Sequence, residues 1–362
     1  DMVLADQPWA ETRSPDPALE FAIQFTSGTT SRPKAVVWTH ANVIWGAQTN
    51  ARHFGLRHDD ICLSFLPLFH NNNQCYSLLG SLWVGGSYIL QPKFSRQHFW
   101  TPALKYSASW CSMIPFCGKA LMHDPVPEHQ FRLWVTAVSV PFFEELFKLK
   151  TLGLFGMTET ISQVTIGDTD HPNPFMCIGR VSPGYDIAIR DEDGRPTPKG
   201  KTGRLFVKGV RGVSLFKEYL KNPQATAEAF DEEGWFITGD RARMEANGEL
   251  YFADREKDML KVGGENVAAS EIEAVIMESG WADEVAVVAQ KHYMLDEVPV
   301  AFIIPNANAP ENLKAAVIDH CRANLASFKV VSDVHVVADL PRSTLEKVAK
   351  NKLREQLSEI SA

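Results

Sequence analysis

The stretch from Gln24 to His40, QFTSGTTSRPKAVVWTH, constrains the fold more than any other part of the chain. The apolar residues around its start and the run Ala35–Trp38 near its end each predict a strand, because short apolar runs bounded by turn residues are typical of buried strands. Between them lies the loop Thr26–Lys34, which combines five hydroxyl side chains, one glycine and two basic residues. Glycine lets the backbone approach an anion closely, and the other side chains donate hydrogen bonds to phosphate oxygens. The sequence therefore predicts a phosphate-binding loop between two strands.

This loop differs both from a Walker loop and from a plain hairpin. A Walker loop has two glycines separated by four residues and a Gly-Lys pair that opens a helix, whereas here Pro33 and a strand follow. A polar hairpin would explain the glycine and the threonines, but not the whole ordered string. The residues assigned to phosphate binding are Thr26, Ser27, Gly28, Thr29, Thr30 and Lys34.

Composition narrows the classes of protein to which the chain could belong. Its 362 residues suit two domains, and 45% hydrophobic with 22% charged residues is ordinary for a soluble globular protein. A net charge of −8 disfavours a nucleic-acid-binding protein, since a phosphate backbone needs a basic surface. The six cysteines form no CxxC pair and no zinc-type spacing with histidine, which favours reduced thiols in a cytoplasmic protein without a structural metal. Residues Asp1–Glu20 are acidic and proline-rich, and no apolar run is long enough to span a membrane, so we expect neither a targeting segment nor a membrane-spanning helix.

Alternating helix and strand signals after the loop predict an α/β fold. Apolar positions between Asn42 and His53 fall at helical spacing, and Ile61–Leu66 is typical of a strand. Beyond this strand, His70 precedes the cluster Asn71–Asn73, at a position where α/β folds place ligand sites. A helix cap would explain the asparagines equally well, so two interpretations of this cluster stay open.

A second group of candidate residues lies in the segment Gly153–Thr160, GLFGMTET. Its two glycines permit a tight turn from a strand into a helix, which leaves the Thr158 hydroxyl and the Glu159 carboxylate beside the phosphates. A carboxylate among phosphates is best explained by a shared Mg²⁺, so Glu159 is the predicted metal ligand. Alternatively, Thr158 and Glu159 only begin a helix, where both residue types are favourable.

These motifs resemble those of the adenylate-forming enzymes, which include acyl-CoA synthetases, luciferases and the adenylation domains of peptide synthetases. TSGTTSRPK is similar to the signature loop of that family, although Ser31 and Ala35 stand where the family usually has glycine. The Ser31-Arg32 pair, the string FKEYLKNPQATA and the turn Gly264–Val267 resemble the crotonobetaine/carnitine-CoA ligase branch in particular.

The resemblance implies an adenylate-forming enzyme fold, which is α/β. It has a large αβ domain with a β subdomain, followed by a small, mobile α+β lid. Residues 1–257 would form the large domain and residues 258–362 the lid, with the charged run Asp254–Asp258 as the hinge. Family members carry a long segment before the phosphate loop, so we expect that the chain is a fragment, that it joins separate pieces of a longer sequence, or that it lacks the family's first subdomain. Within the lid, Ser270 and Glu273 have the spacing of a capping box and predict the start of a helix.

The same resemblance implies roles for individual residues. His70 would lie between nucleotide and acyl group, and the Asp240 carboxylate would accept hydrogen bonds from both ribose hydroxyls unless it is an ordinary turn residue. Lys347 would enter the active site from the terminal loop, although Glu346 replaces the usual glycine and an exposed lysine at a helix start is the alternative. The implied catalytic residues are Lys347, Thr158, Glu159 and His70. The implied nucleotide- or coenzyme-binding residues outside the phosphate loop are Phe155, Gly156, Met157, Asp240, Arg255, Lys257, Lys261, Gly263 and Gly264.

The implied function is the AMP-forming ligation of a small carboxylic acid to coenzyme A. The acid would attack the α-phosphate of ATP in the presence of Mg²⁺, and the thiol of coenzyme A would then displace AMP from the acyl-adenylate. ATP, Mg²⁺ and coenzyme A are therefore the expected cofactors. The sequence leaves open the identity of the acid and the oligomeric state, for which a homodimer is one option. Two alternatives are an adenylation enzyme that loads a carrier protein and a non-catalytic binder of nucleotide or acyl-adenylate.

Overall fold

A computed structural model of the chain describes residues 16–26, 33–122, 124–255, 259–263, 265–342 and 348–360. The strands are β1 (Glu20–Phe25), β2 (Ala35–Thr39), β3 (Ile61–Ser64), β4 (Ser87–Leu90), β5 (Trp110–Ser112), β6 (Leu133–Thr136), β7 (Lys150–Phe155), β8 (Thr165–Ile166), β9 (Cys177–Val181), β10 (Asp186–Arg190), β11 (Thr202–Lys208), β12 (Glu218–Tyr219), β13 (Phe236–Met244), β14 (Leu250–Arg255), β15 (Leu260–Val262), β16 (Glu265–Val267), β17 (Ala282–His292), β18 (Asp296–Pro305) and β19 (Asp333–Val336). The α-helices are α1 (His40–His53), α2 (Gly80–Trp83), α3 (Trp100–Lys105), α4 (Pro115–Leu121), α5 (Pro141–Phe147), α6 (Pro223–Glu228), α7 (Ala269–Glu278), α8 (Leu313–Asn324) and α9 (Lys350–Ile360). A π-helical segment covers Asn72–Leu79, and single 3₁₀ turns cover Arg96–His98, Thr158–Thr160 and Ser327–Lys329.

The strands predicted on either side of the phosphate loop are confirmed as an antiparallel hairpin of β1 and β2. Two hydrogen bonds close the loop: the Thr26 amide donates to the Lys34 carbonyl at 3.0 Å, and the Lys34 amide donates to Thr26 Oγ1 at 3.1 Å. On its other edge β2 pairs with β12, which comes from a part of the chain far from the hairpin in sequence. These three strands form a small sheet of their own.

The largest sheet has eleven strands in the order β10-β11-β13-β14-β9-β8-β7-β6-β5-β3-β4. Strands β4, β3, β5, β6 and β7 pair in parallel, and the antiparallel pairing that starts between β7 and β8 continues to β10. Its two faces are buried by separate apolar clusters, one of which contains Trp38 and Trp110 and the other Trp134. Because parallel strands end at one edge of the sheet, the segments after β3 and β7 reach the same edge.

The carboxyl-terminal part of the chain forms a separate sheet, in the order β16-β15-β18-β17, with β19 parallel to β18. Ile272 of α7 and Val317 of α8 belong to the apolar cluster that buries one side of this sheet, while Leu353 and Leu357 of α9 belong to a second cluster with β17 and β18 residues. None of the helices in the described ranges is both long and apolar enough to cross a membrane.

The capping box predicted at the start of α7 is wrong. The helix begins at Ala269, with Ala268 in the cap position. The Ser270 hydroxyl donates instead to the Ala253 carbonyl of β14, and Glu273 Oε1 accepts a hydrogen bond from the Val287 amide of β17 at 2.7 Å. Both side chains that a local cap would need are therefore hydrogen-bonded to strands that are distant in the sequence.

Helix α1, in contrast, does carry a reciprocal cap and begins slightly earlier than predicted. Thr39 Oγ1 accepts a hydrogen bond from the Asn42 amide at 3.1 Å, and Asn42 Oδ1 accepts one from the Thr39 amide at 2.9 Å. This cap fixes the exit from β2, and therefore the direction of the hairpin that carries the phosphate loop.

Candidate active site

The hairpin of β1 and β2 contacts the segment Gly153–Thr160 directly. Trp38 of β2 is fully buried, and its indole Nε1 donates to the Thr158 carbonyl at 2.9 Å. Two groups of residues that are far apart in the sequence, and that were predicted to share phosphates, are thus held against each other by a buried side chain.

The segment after β7 forms a single 3₁₀ turn at Thr158–Thr160, so the predicted helix at this point is wrong. Thr160 Oγ1 accepts a hydrogen bond from the Met157 amide at 2.9 Å, and the chain then leaves through Ile161, whose φ is +58°. Gly156 is required by space, since a methyl group there would lie 2.4 Å from the Tyr76 hydroxyl oxygen. The turn is consequently too short and too tightly packed to continue as a helix.

Glu159, the predicted metal ligand, is a buried carboxylate with 5% of its surface exposed. The Tyr219 hydroxyl of β12 donates to Glu159 Oε1 at 2.9 Å, and Lys34 Nζ lies 4.5 Å from the centre of the Tyr219 ring. The structure thus connects the phosphate-loop lysine with the predicted metal ligand through a tyrosine that sequence reasoning did not select. Tyr219 belongs to the string FKEYLKNPQATA, which pointed to a family but gave no reason to choose this residue.

The asparagine cluster after β3 joins the same turn, and the helix-cap interpretation of it is wrong. Among the described residues, no side-chain cap bond is present at the start of the π-helical segment. Asn71 Nδ2 donates to the Met157 carbonyl at 3.0 Å, while Asn73 Nδ2 donates to the Leu66 carbonyl. His70 Nδ1 accepts a hydrogen bond from the Asn72 amide at 3.3 Å. His70 is therefore held next to Asn71, which contacts the predicted nucleotide-binding segment.

Asp240 lies inside strand β13 and is 3% exposed, so the interpretation of it as an ordinary turn residue is wrong. The register between β11 and β13 shifts around it, and Gly239 has a φ of +72°, which suits glycine. Asp240 of β13 pairs through its backbone with Arg255 of the neighbouring strand β14. The ring of Phe252, also in β14, stacks on Phe155 with 6.2 Å between the two ring centroids. This contact connects the Asp240 region with the end of β7.

Two predicted site residues of the expected lid are described, Lys261 within β15 of the second sheet and Gly263 directly after it. The Lys261 amide donates to Glu297 Oε2 at 2.9 Å, and Gly263 has a φ of +58°, with its amide donating to the Leu295 carbonyl at 2.9 Å. Only the backbone pairing is described for Arg255. The predicted site residues that lie outside the described residues are Ser27, Gly28, Thr29, Thr30, Lys257, Gly264 and Lys347.

The residues around Glu159 suit a metal ion that arrives with a nucleotide. Within the described ranges, no group of three or more His, Cys, Asp or Glu side chains could hold a metal by itself. Mg²⁺ is usually bound by one or two carboxylates together with substrate phosphates, and not by an all-protein cage. A buried carboxylate connected to a phosphate-loop lysine through one tyrosine fits that mode of binding.

Comparison with protein families gives two matches along the chain. The model described as AMP-binding enzyme matches residues 3–220, and the model described as AMP-binding enzyme C-terminal domain matches residues 271–347. A curated crotonobetaine/carnitine–CoA ligase from Salmonella paratyphi B is 37% identical over 342 residues, which cover 92% of this chain and 66% of that relative. The chain therefore spans slightly less than two thirds of that relative's length.

Two solved structures align with nearly the whole of this chain. The ATP-bound crystal structure of MatB from Rhodopseudomonas palustris aligns with a TM-score of 0.88 and 29% identity, covering 97% of this chain and 71% of the other. A benzoate CoA ligase from Burkholderia xenovorans aligns with a TM-score of 0.85 and 25% identity, covering 96% of this chain and 71% of the other.

Proposed function

This chain belongs to the AMP-binding enzyme family, and we propose that it is an AMP-forming ligase that joins a small carboxylic acid to coenzyme A. The α/β adenylate-forming fold predicted from the motifs is confirmed by the structural matches. The curated relative from Salmonella paratyphi B and the solved structure from Burkholderia xenovorans are CoA ligases, and the MatB structure contains ATP. These likenesses support the activity, with ATP and coenzyme A as substrates.

The observation that carries the proposal is the arrangement of Lys34, Tyr219 and Glu159. The Lys34 ammonium group lies over the ring face of the buried Tyr219, and the Glu159 carboxylate, in the turn after β7, accepts a hydrogen bond from the hydroxyl of the same tyrosine. Phosphate oxygens need positive charge and hydrogen-bond donors, and a metal that accompanies them needs a carboxylate. A triphosphate between the hairpin and the turn would meet both.

In the first half-reaction, the chain's own residues would bind and orient ATP. Thr26, Lys34 and the other residues of the phosphate loop would donate to phosphate oxygens, and the buried Asp240 would accept from the ribose hydroxyls. Glu159 would hold Mg²⁺, which when bound supplies positive charge to the phosphates. Lys347 would approach the α-phosphate while the acid attacks and pyrophosphate leaves.

We further propose two domains, residues 1–257 and 258–362, which change their relative orientation at Asp254–Asp258 between the two half-reactions. In chain order, the last strand of the large sheet is β14, which stops at Arg255, and the first strand of the second sheet is β15, which starts at Leu260. This change of sheet supports a domain boundary between the two strands. Short charged linkers are common hinge positions. All six cysteines are buried thiols, which is typical of cytoplasmic proteins and supports the proposed cytoplasmic location. A homodimer stays a prediction.

The experiment is a two-step assay of the purified protein with a panel of acids. Pyrophosphate release is measured with ATP, Mg²⁺ and carnitine, crotonobetaine, benzoate or short-chain acids, and AMP release is then measured with and without coenzyme A. We expect acid-dependent pyrophosphate release and coenzyme-dependent AMP release. If the protein binds ATP but releases no pyrophosphate with any acid, the non-catalytic binder is favoured. If pyrophosphate is released but AMP release does not increase with coenzyme A, the carrier-protein alternative is favoured.

A further inference from the structure

Tyr219 is fixed in place by its own backbone and by neighbouring rings, independently of any ligand. It pairs with Val36 of β2, and its amide donates to Thr226 Oγ1 of α6 at 3.0 Å. The ring of Phe216 lies against it, with 4.7 Å between the two centroids. With only 4% of its surface exposed, Tyr219 has little freedom to choose another rotamer.

From this fixed position Tyr219 makes two different contacts. Its ring face lies under the Lys34 ammonium group, an arrangement in which the negative face of the ring attracts a cation. Its hydroxyl donates to Glu159 Oε1 in a buried environment. A tyrosine hydroxyl carries its proton at neutral pH, so it is the donor in this hydrogen bond to the carboxylate.

We propose that Tyr219 is a positioning residue which holds the Lys34 ammonium group and the Glu159 carboxylate in one arrangement for a metal–nucleotide complex. This inference rests on the proposed function, because it assigns both partners to the binding of ATP and its metal. The hydroxyl orients the carboxylate, and the ring orients the ammonium group. Each half of the role belongs to a different part of one side chain, so the two can be separated by substitution.

Tyr219→Phe keeps the ring and removes only the hydroxyl, whereas Tyr219→Leu removes both contacts. The readout is binding: Mn²⁺ affinity by electron paramagnetic resonance in the presence of α,β-methylene-ATP, and affinity for the same nucleotide in EDTA. A hydrogen bond to a charged group is commonly worth about a ten-fold change or more in an equilibrium. Tyr219→Phe should therefore weaken Mn²⁺ binding about ten-fold, with little change in nucleotide affinity in EDTA. Tyr219→Leu should weaken both.

The chain supplies a matched control at Tyr251. Its hydroxyl lies 3.5 Å from Glu249 Oε2 and its ring lies under Arg243 at 4.7 Å, which repeats the same chemistry on β14. Tyr251→Phe should leave Mn²⁺ and nucleotide binding unchanged. Thermal unfolding of each variant identifies any that fails to fold, and Tyr219→Phe alone then decides the role of the hydroxyl.

The outcomes separate this inference from the proposed function. If the parent protein binds both nucleotide and Mn²⁺ and Tyr219→Phe does so equally well, the positioning role is overturned and the proposed function stands. If Tyr251→Phe weakens Mn²⁺ binding as much as Tyr219→Phe does, the effect is one of general stability and the positioning role is again overturned. A parent protein that binds no nucleotide would overturn the proposed function, and this inference with it.

Discussion

Replacing Trp38 with phenylalanine tests whether the hairpin and the turn at Thr158–Thr160 depend on each other. The substitution keeps an aromatic side chain at a fully buried position but removes the Nε1 donor that reaches the Thr158 carbonyl at 2.9 Å. We expect lower stability and slower adenylate formation, because this bond is a direct connection between the phosphate-loop hairpin and the segment that carries Glu159.

The expected cost has two parts. Removing the indole donor leaves the Thr158 carbonyl without this hydrogen bond, which costs about 1–3 kcal/mol. We expect a value towards the lower end of that range because Thr158 is partly exposed. The smaller ring leaves unfilled volume, which adds roughly 1 kcal/mol. The total of about 2–3 kcal/mol should lower the Tm of the proposed large domain by roughly 4–12 °C.

Trp110→Phe is the matched control for the lost volume. Trp110 is also fully buried, but its Nε1 has no hydrogen-bond partner among the residues that the structure describes. This variant loses the same ring volume while it removes an unpaired buried donor, so it should cost about 2 kcal/mol less than Trp38→Phe.

The assay combines thermal unfolding with acid-dependent exchange of pyrophosphate into ATP. Small displacements of groups that position a substrate reduce rates strongly, so we expect exchange by Trp38→Phe to fall about ten-fold or more, against little change for Trp110→Phe. Equal Tm values for the two variants would mean that the indole bond contributes nothing to stability. Equal exchange rates would mean that the turn keeps its position without the indole bond.

Two further predictions concern Lys347 and Asp240, whose roles are still proposals, and a third concerns the stability that the buried Asp60 contributes. Lys347→Ala should slow adenylate formation by orders of magnitude yet spare thioester formation from a preformed adenylate; equal loss of both steps in single-turnover assays would contradict its role. Asp240→Ala should raise the KM for ATP, because the ribose diol loses its acceptor at a cost of about 1–3 kcal/mol; an unchanged KM would exclude ribose binding. Burial alone would raise the pKa of Asp60, but hydrogen bonds from Arg132, Ser109 and the Arg57 amide together lower it. Its stabilisation is therefore present above the unfolded-state pKa and lost as pH falls through the folded-state pKa, so Asp60→Asn should lessen the acid dependence of unfolding; an unchanged pH profile would refute this.

The sequence predicted those parts of the site that depend on short-range pattern. The strands around the phosphate loop and the helix after Thr39 follow from apolar runs and turn residues that lie within a few positions of each other. The helix expected at Thr158 did not form, because the Thr160 hydroxyl closes a single turn and Ile161 has a positive φ that no helix continues. That outcome depends on local geometry which residue types alone do not specify.

Other parts of the site could not be predicted, because they depend on contacts between distant segments. Tyr219 reaches Glu159 only because β12 pairs with β2. The sequences of these two short strands do not predict that they pair with each other. The error at Ser270 has the same cause, since its spacing with Glu273 fits a cap but the Ala253 carbonyl lies within reach. At Ser270 the local rule failed because a tertiary partner offered an alternative bond.

The contacts around the turn at Thr158–Thr160 bear on how the two proposed domains would share the work. The turn is held by Trp38 of β2 and by Asn71 at the start of the π-helical segment, and the Phe216 amide donates to the Glu159 carbonyl at 2.8 Å. All three partners precede the proposed hinge in the chain, so a change in lid orientation need not disturb them. Groups held in this way before the reaction avoid the cost of reorganisation when charge develops on the phosphates. The large domain would then supply a constant nucleotide site in both half-reactions, and the lid would decide which of the two proceeds.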